Sequence, residues 1–280
     1  MQFNLIGPFE IITDDGREYA PNAPKIGQML ALLALKPRET VATDVLIREL
    51  WGQDPPRSAL RTLQTHVYHA RKMLADENVT APDRNLLVTR APGYEVRVND
   101  DEVDVSSFER FIRRAQWEFT EGAFERAGEH LRRALELWRG PVLSNVPIGP
   151  VLAGRIARVE ELRIRALELR VETENRLGRQ RELLPDLRTL VSEYPLHEWF
   201  HGQLIWALHQ SGRRGEALQA YRNLYRILKK ELGLEPSPDL RRLQAEILNA
   251  AGGDAPVLLR REDRQERSRP APLWAAEVAS

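Results

Sequence analysis

Two short spacings in this sequence could support metal chemistry. His197-Glu198-Trp199-Phe200-His201 sets two imidazoles four residues apart with a glutamate between them, as on a zinc-hydrolase helix. Histidines at i and i+4 can share a metal on one helix face while the glutamate activates water. A third ligand is still required. The metzincin continuation fails, because Leu204 stands where glycine is needed and Ala207 where histidine is needed, and Glu216 is a distant substitute. His66 and His69 form a second, looser pair. The chain has no cysteine, which excludes disulfides and thiolate metal sites. It has no Walker-type phosphate loop, so ATP-driven regulation is not encoded. We therefore expect no enzymatic activity, no cofactor and no bound metal, with a zinc hydrolase kept as the minor alternative.

The stretch Pro55 to Ala75 offers a different chemistry. It holds Arg57, Arg61, Arg71 and Lys72 and no acid. On a wheel at about 100° per residue, Leu60, Leu63, Val67, Ala70 and Leu74 fall on one face. The opposite face carries Arg61, Thr62, Thr65, Tyr68, His69 and Lys72, with Gln64, His66 and Arg71 at the flanks. An apolar underside and an outer face of donors and acceptors without acids is what a helix in a DNA major groove requires. Arg, Gln, Thr and His can read base edges there, and cations at the margins can hold phosphates. The competing reading is an ordinary solvated amphipathic helix. The overall charge is balanced, with 41 basic and 41 acidic residues, and residues 1–99 carry 12 of each. Any electrostatic attraction to nucleic acid must therefore be local.

The elements around this helix decide between the two readings. Residues 1–19 suggest short strands with an Asp14-Asp15-Gly16 turn. Pro24 to Leu35 is apolar enough for a buried helix. A second helix is expected from about Thr43, a plausible N-cap, to Trp51, and the reading helix from about Ser58 to Ala75. Leu86–Arg90 and Tyr94–Val98 flank a Pro92-Gly93 turn and read as a hairpin. Strands, three helices and a hairpin make a winged helix-turn-helix, with Arg90 at the wing placed to enter a minor groove. From Val103 onward the pattern is helical, with helices expected near 104–120, 122–139, 148–177, 179–193, 197–211, 213–231 and 237–250. Gly122…Ala127…Leu131 and Gly212…Ala217…Tyr221 repeat one cadence, as in tetratricopeptide-type helix pairs. Trp199, Leu204, Trp206, Leu208, Tyr221 and Tyr225 read as inter-helix core. The expected fold is mostly α. It comprises a winged helix-turn-helix (α+β) over 1–99, an all-α tetratricopeptide-like domain over 100–252 and a flexible tail over 253–280. The N-terminus has no secretory pattern and no apolar run approaches about 18 residues, so a cytoplasmic protein without a membrane partner is expected.

These residues together resemble the Streptomyces antibiotic regulatory protein (SARP) family of transcriptional activators. The matching segments are Leu5-Ile6-Gly7-Pro8-Phe9-Glu10, Ala23-Pro24-Lys25, Leu46 through Pro56, Thr62-Leu63-Gln64-Thr65-His66-Val67-Tyr68, and Pro92-Gly93-Tyr94. In the second half they are Ser211-Gly212-Arg213, Glu216-Ala217-Leu218 and Leu232-Gly233-Leu234-Glu235-Pro236. The resemblance spans roughly 1–252. It implies an OmpR-type winged helix followed by a bacterial transcriptional activator domain. It also implies binding to direct repeats in double-stranded DNA near the −35 element, two copies head to tail as a homodimer on DNA. The further partner implied is RNA polymerase holoenzyme with its sigma factor, met by the loop Gly52–Ser58, at the promoters of secondary-metabolite (antibiotic) gene clusters. By alignment, Thr65 and His69 match base-reading positions, and Arg71 and Lys72 match positions near the DNA backbone. The full expected DNA-binding set is Arg57, Arg61, Arg71, Lys72 and Arg90 for phosphates or the wing, and Thr62, Gln64, Thr65 and His69 for bases. Gly27 and His69 depart from the basic residues that the resemblance favours at those positions. A helical-repeat adaptor with a winged domain that does not bind DNA is the alternative.

Overall fold

Alternating apolar residues at the N-terminus form strand β1 (Gln2–Asn4), which pairs antiparallel with β2 (Glu10–Ile12), itself paired with β3 (Glu18–Tyr19). The structure is a computed structural model that describes residues 1–77, 79 and 85–249. The tail expected over 253–280 lies outside the described residues. At the β2–β3 turn Gly16 takes a positive φ of 84°, which glycine adopts without a Cβ penalty.

Three helices follow. Helix α1 (Pro24–Ala34) starts with proline at its first turn and is buried from Ile26 onward, including Gly27 against Pro21. Strand β4 (Val41–Ala42) leads into α2 (Thr43–Trp51), and α3 spans Ala59–Asp76. Thr43 is not the cap of α2. Ala42 is, and the Thr43 hydroxyl instead donates across to the Pro92 carbonyl at 2.9 Å. Strands β5 (Leu87–Arg90) and β6 (Gly93–Val96) form the expected hairpin, and β4 joins it in the order β4-β6-β5.

Helix α4 (Asp104–Thr120), α5 (Phe124–Glu136) and α6 (Pro150–Arg176) complete the first of two compact units, Met1–Leu177. One continuous core runs through this unit, from Phe3, Leu5 and Phe9 through Leu46, Leu63 and Val67 to Phe108, Leu131, Val159 and Ala166. The winged region and the first three helices of the following region thus share apolar burial. The second unit begins at Gly178 and contains α7 (Leu184–Glu193), α8 (Glu198–Gln210), α9 (Arg214–Glu231) and α10 (Pro238–Asn249). The repeated cadence has a physical counterpart. Gly122 and Gly212 have φ of 76° and 75°, and each closes the same pair of turn bonds. Gly122 N–H donates to Phe119 and Ala123 N–H to Glu118, as Gly212 N–H does to His209 and Arg213 N–H to Leu208. Leu204, Leu208 and Tyr221 are buried as expected, but Tyr225 turns outward.

Two buried carboxylates tie the first unit together. Asp104, at the start of α4, accepts from Leu5 N–H at 2.7 Å, Ile6 N–H at 2.8 Å and Val105 N–H at 2.7 Å. Burial pushes its carboxyl up to about 6, against the pull of those three donors and of Arg139 at 4.0 Å. Its native pKa lies above its unfolded value, so its contribution to stability is complete below about pH 4 and is lost as pH rises to about 6. The expected loss is on the order of 3 kcal/mol across that window. Comparing urea titrations of the wild type and Asp104→Asn from pH 4 to 7 isolates this slope, since the amide cannot titrate. Parallel curves would contradict it.

Glu49, on α2, is the second. It is 2% exposed and accepts from four donors: Gln28 Nε2 at 2.9 Å, Gly149 N–H at 2.7 Å, Val151 N–H at 2.8 Å and Leu152 N–H at 2.9 Å. Three of these are the unpaired amides at the start of α6. A side chain 100 residues away therefore supplies the cap that α6 lacks locally.

Candidate nucleic-acid interface

Helix α3 is held by a buried stripe of Ala59, Leu63, Val67, Ala70 and Leu74. Leu60, expected in that stripe, is instead 52% exposed. The stripe continues backward from Leu63 by four residues to Ala59 rather than by three to Leu60, and Leu60 rolls onto the surface. Met73 and Thr62 are half-buried at the margins.

The outer face matches the sequence reading in position except at Thr62, expected on it but half-buried at its margin. Arg61, Gln64, Thr65, Tyr68, His69 and Lys72 are all exposed, and Arg57 is exposed in the loop before the helix. Arg61, Thr65, Tyr68 and Lys72 succeed one another at four-, three- and four-residue steps, which makes a single ridge. The hydroxyls of Thr62 and Thr65 donate back to the Ser58 and Arg61 carbonyls, each at 3.1 Å. Their oxygens therefore present lone pairs and their side chains a methyl, suited to a base donor or a thymine methyl. His66 and His69 have different ring partners. His66 is half-buried and stacks on Trp51 with centroids 6.2 Å apart, while His69 meets the edge of Tyr68. Burial, with smaller contributions from Lys25 and His69, holds the His66 pKa below the usual histidine value, so its ring is neutral near pH 7.

Arg71 braces the hairpin to α3, beside the core shared by Leu74, Leu87 and Val96. Arg71 Nε donates to the Leu87 carbonyl at 2.8 Å and its Nη2 to Thr89 Oγ1 at 2.9 Å. The sequence reading gave Arg71 a place near the DNA backbone, and its observed partners are in β5. Arg90, at the hairpin tip, is largely exposed and pairs at 2.9 Å with Glu95, which is almost fully buried. Tyr68, 62% exposed at the centre of the ridge, was placed on the outward face but not among the candidate contacts. An aromatic residue exposed amid polar neighbours was the available signal.

The histidines 197 and 201 are engaged elsewhere. His201 is buried with Nε2 3.1 Å from the Pro195 carbonyl, and Glu198 accepts from Ser237 N–H at 2.7 Å. Among the described residues no cluster of three His, Cys, Asp or Glu is placed to hold a metal. Nor is any helix there long and apolar enough to cross a membrane.

A winged helix whose third helix exposes an acid-free ridge, followed by paired helices, has the architecture of a winged-helix transcriptional regulator. Residues 20–96 match the family "Transcriptional regulatory protein, C terminal" and residues 103–248 the family "Bacterial transcriptional activator domain". The chain belongs to the Streptomyces antibiotic regulatory protein family. It is 39% identical to regulatory protein DnrI of Streptomyces peucetius, over 90% of this chain and 94% of that protein. It is 34% identical to regulatory protein AfsR of Streptomyces coelicolor over 89% of this chain, which spans 24% of that longer protein. A solved structure of Mycobacterium tuberculosis EmbR, in complex with a low-affinity phosphopeptide, superposes with a TM-score of 0.80 at 32% identity. That match covers 91% of this chain and 66% of that one.

Proposed function

We propose that this chain is a sequence-specific, DNA-binding activator of a secondary-metabolite gene cluster. Two copies bind direct repeats near a −35 element, head to tail, and recruit RNA polymerase holoenzyme through its sigma factor. The observation that carries the reading is the exposed, acid-free ridge of α3 beside a hairpin braced to it by Arg71. In this reading residues 1–99 read the DNA, residues 100–252 form the activator domain, and the protein works in the cytoplasm without a cofactor. Arg57, Arg61 and Lys72 face phosphates, Arg90 enters through the wing, and Thr62, Gln64, Thr65 and His69 face bases. The loop Gly52–Ser58 meets the polymerase.

Promoter footprinting with and without polymerase holoenzyme tests the whole scheme. Tandem protection extended by polymerase supports it, and no protection at any concentration refutes it. Lys72→Ala should weaken binding to all sequences alike and flatten the log–log salt dependence by about one unit. Thr65→Ala or His69→Ala should instead cost about 1–3 kcal/mol of discrimination at one base step and leave the salt slope unchanged. Competition titrations over several salt concentrations separate the two outcomes.

A further inference from the structure

Helix α9 also carries an exposed run of cations without acids. From Ala217 to Lys230, α9 contains Arg222, Arg226, Lys229 and Lys230 and no acid. Its inner face, Ala217, Tyr221, Leu224 and Leu228, is buried. The opposite face is Gln219, Arg222, Asn223, Arg226, Lys229 and Lys230, all exposed. Arg222, Arg226 and Lys229 follow one another at about one helical turn, with Lys230 beside Lys229, along about 12 Å of axis. Gln219 and Asn223 bond to one another at 3.0 Å beside them, and Arg226 bonds Asn223, which orients its guanidinium along the stripe. Acids appear at the ends of the helix. Glu216 is taken up by Arg188 and Arg213, and Glu231 pairs with Lys230 at 2.8 Å.

We infer that this face of α9 is a second phosphate-binding surface, which takes the sugar-phosphate backbone of duplex DNA. The inference rests on the DNA-binding reading above. One feature favours a nucleic-acid backbone over an acidic protein. The stripe has no apolar side chain at its centre, where a protein interface places its anchors, and Tyr225 lies only at its margin.

The test uses the full chain carrying Arg222→Gln, Arg226→Gln, Lys229→Gln and Lys230→Gln, alongside Lys72→Ala and the wild type. Glutamine keeps helix propensity, and all four positions are exposed, so thermal melting should be unchanged. Binding is measured to a 60-bp random-sequence duplex and to a 60-bp fragment of the footprinted promoter across a salt series. We expect the quadruple variant to lose about 10- to 100-fold in affinity for both and its salt slope to fall by about two to four units. Base discrimination should be kept. An unchanged slope, with Lys72→Ala still flattening it, overturns the α9 surface alone. Unchanged DNA binding with polymerase recruitment lost overturns it in favour of an acidic protein partner. If the wild type binds neither duplex, the DNA-binding reading falls with it.

Discussion

Replacing Glu49 by alanine is expected to cost the first unit about 3–5 kcal/mol of stability. The carboxylate is buried and is the acceptor for Gln28 Nε2 and the amides of Gly149, Val151 and Leu152. Truncation leaves the three backbone amides without a partner, so each retains its desolvation cost, while Gln28 Nε2 keeps its bond to the residue-49 carbonyl at 2.9 Å. The positive end of α6 loses its counter-charge as well. In a unit of this size such a loss lowers the melting temperature by about 10 °C. Glu49→Gln should fall between, because one acceptor oxygen remains while the new NH2 faces backbone N–H groups. Gly149 must stay glycine for the same packing reason: a Cβ there would lie 2.1 Å from the Glu49 carbonyl oxygen. Urea unfolding followed by far-UV circular dichroism measures the effect, and a loss below 1 kcal/mol for Glu49→Ala would show that the carboxylate does not hold α6.

A single methyl group on Gly93 should disable the wing. An added Cβ would sit 1.9 Å from the Val41 carbonyl oxygen and 2.8 Å from Ala42 Cα. Both are backbone atoms of β4, which pairs Val41 with Tyr94 and Ala42 with Gly93. No rotamer change relieves such a clash, so either β4 leaves the sheet or the hairpin shifts. We expect Gly93→Ala to cost about 3 kcal/mol or more. DNA affinity should drop further, because Arg90 and the Thr43–Pro92 bond move with the hairpin. Gly16→Ala is the control. It has open space around it and a positive φ, so it should cost only about 1 kcal/mol and leave binding intact. Calorimetry and a gel-shift titration of both variants decide the matter, and equal behaviour of the two would count against the packing argument.

The outer face of α3 was legible because helical periodicity and the absence of acids are properties of a local stretch. Where the pattern allowed two continuations, as at Leu60 and Ala59, the core's curvature chose. Thr43 looked like a cap from its neighbours in sequence, yet a carbonyl 49 residues away claimed its hydroxyl. Glu49 carried a weak signal that was missed. It lies three residues after Leu46 and one before Leu50, on the apolar side of α2, where an acid needs a partner.

By itself the sequence determined the order of the helices and of the hairpin, the winged-helix class, most of the outward set on α3 and the helix-pair cadence. Those follow from chain-local preferences of three to twenty residues. Only the tertiary structure decided that the core of the winged region runs on into α4–α6, that Glu49 caps α6, that Arg71 braces the wing and that Gly93 has no room for a side chain. Each of these is a contact between residues far apart in the chain, set by which donors and surfaces the packed core leaves facing one another.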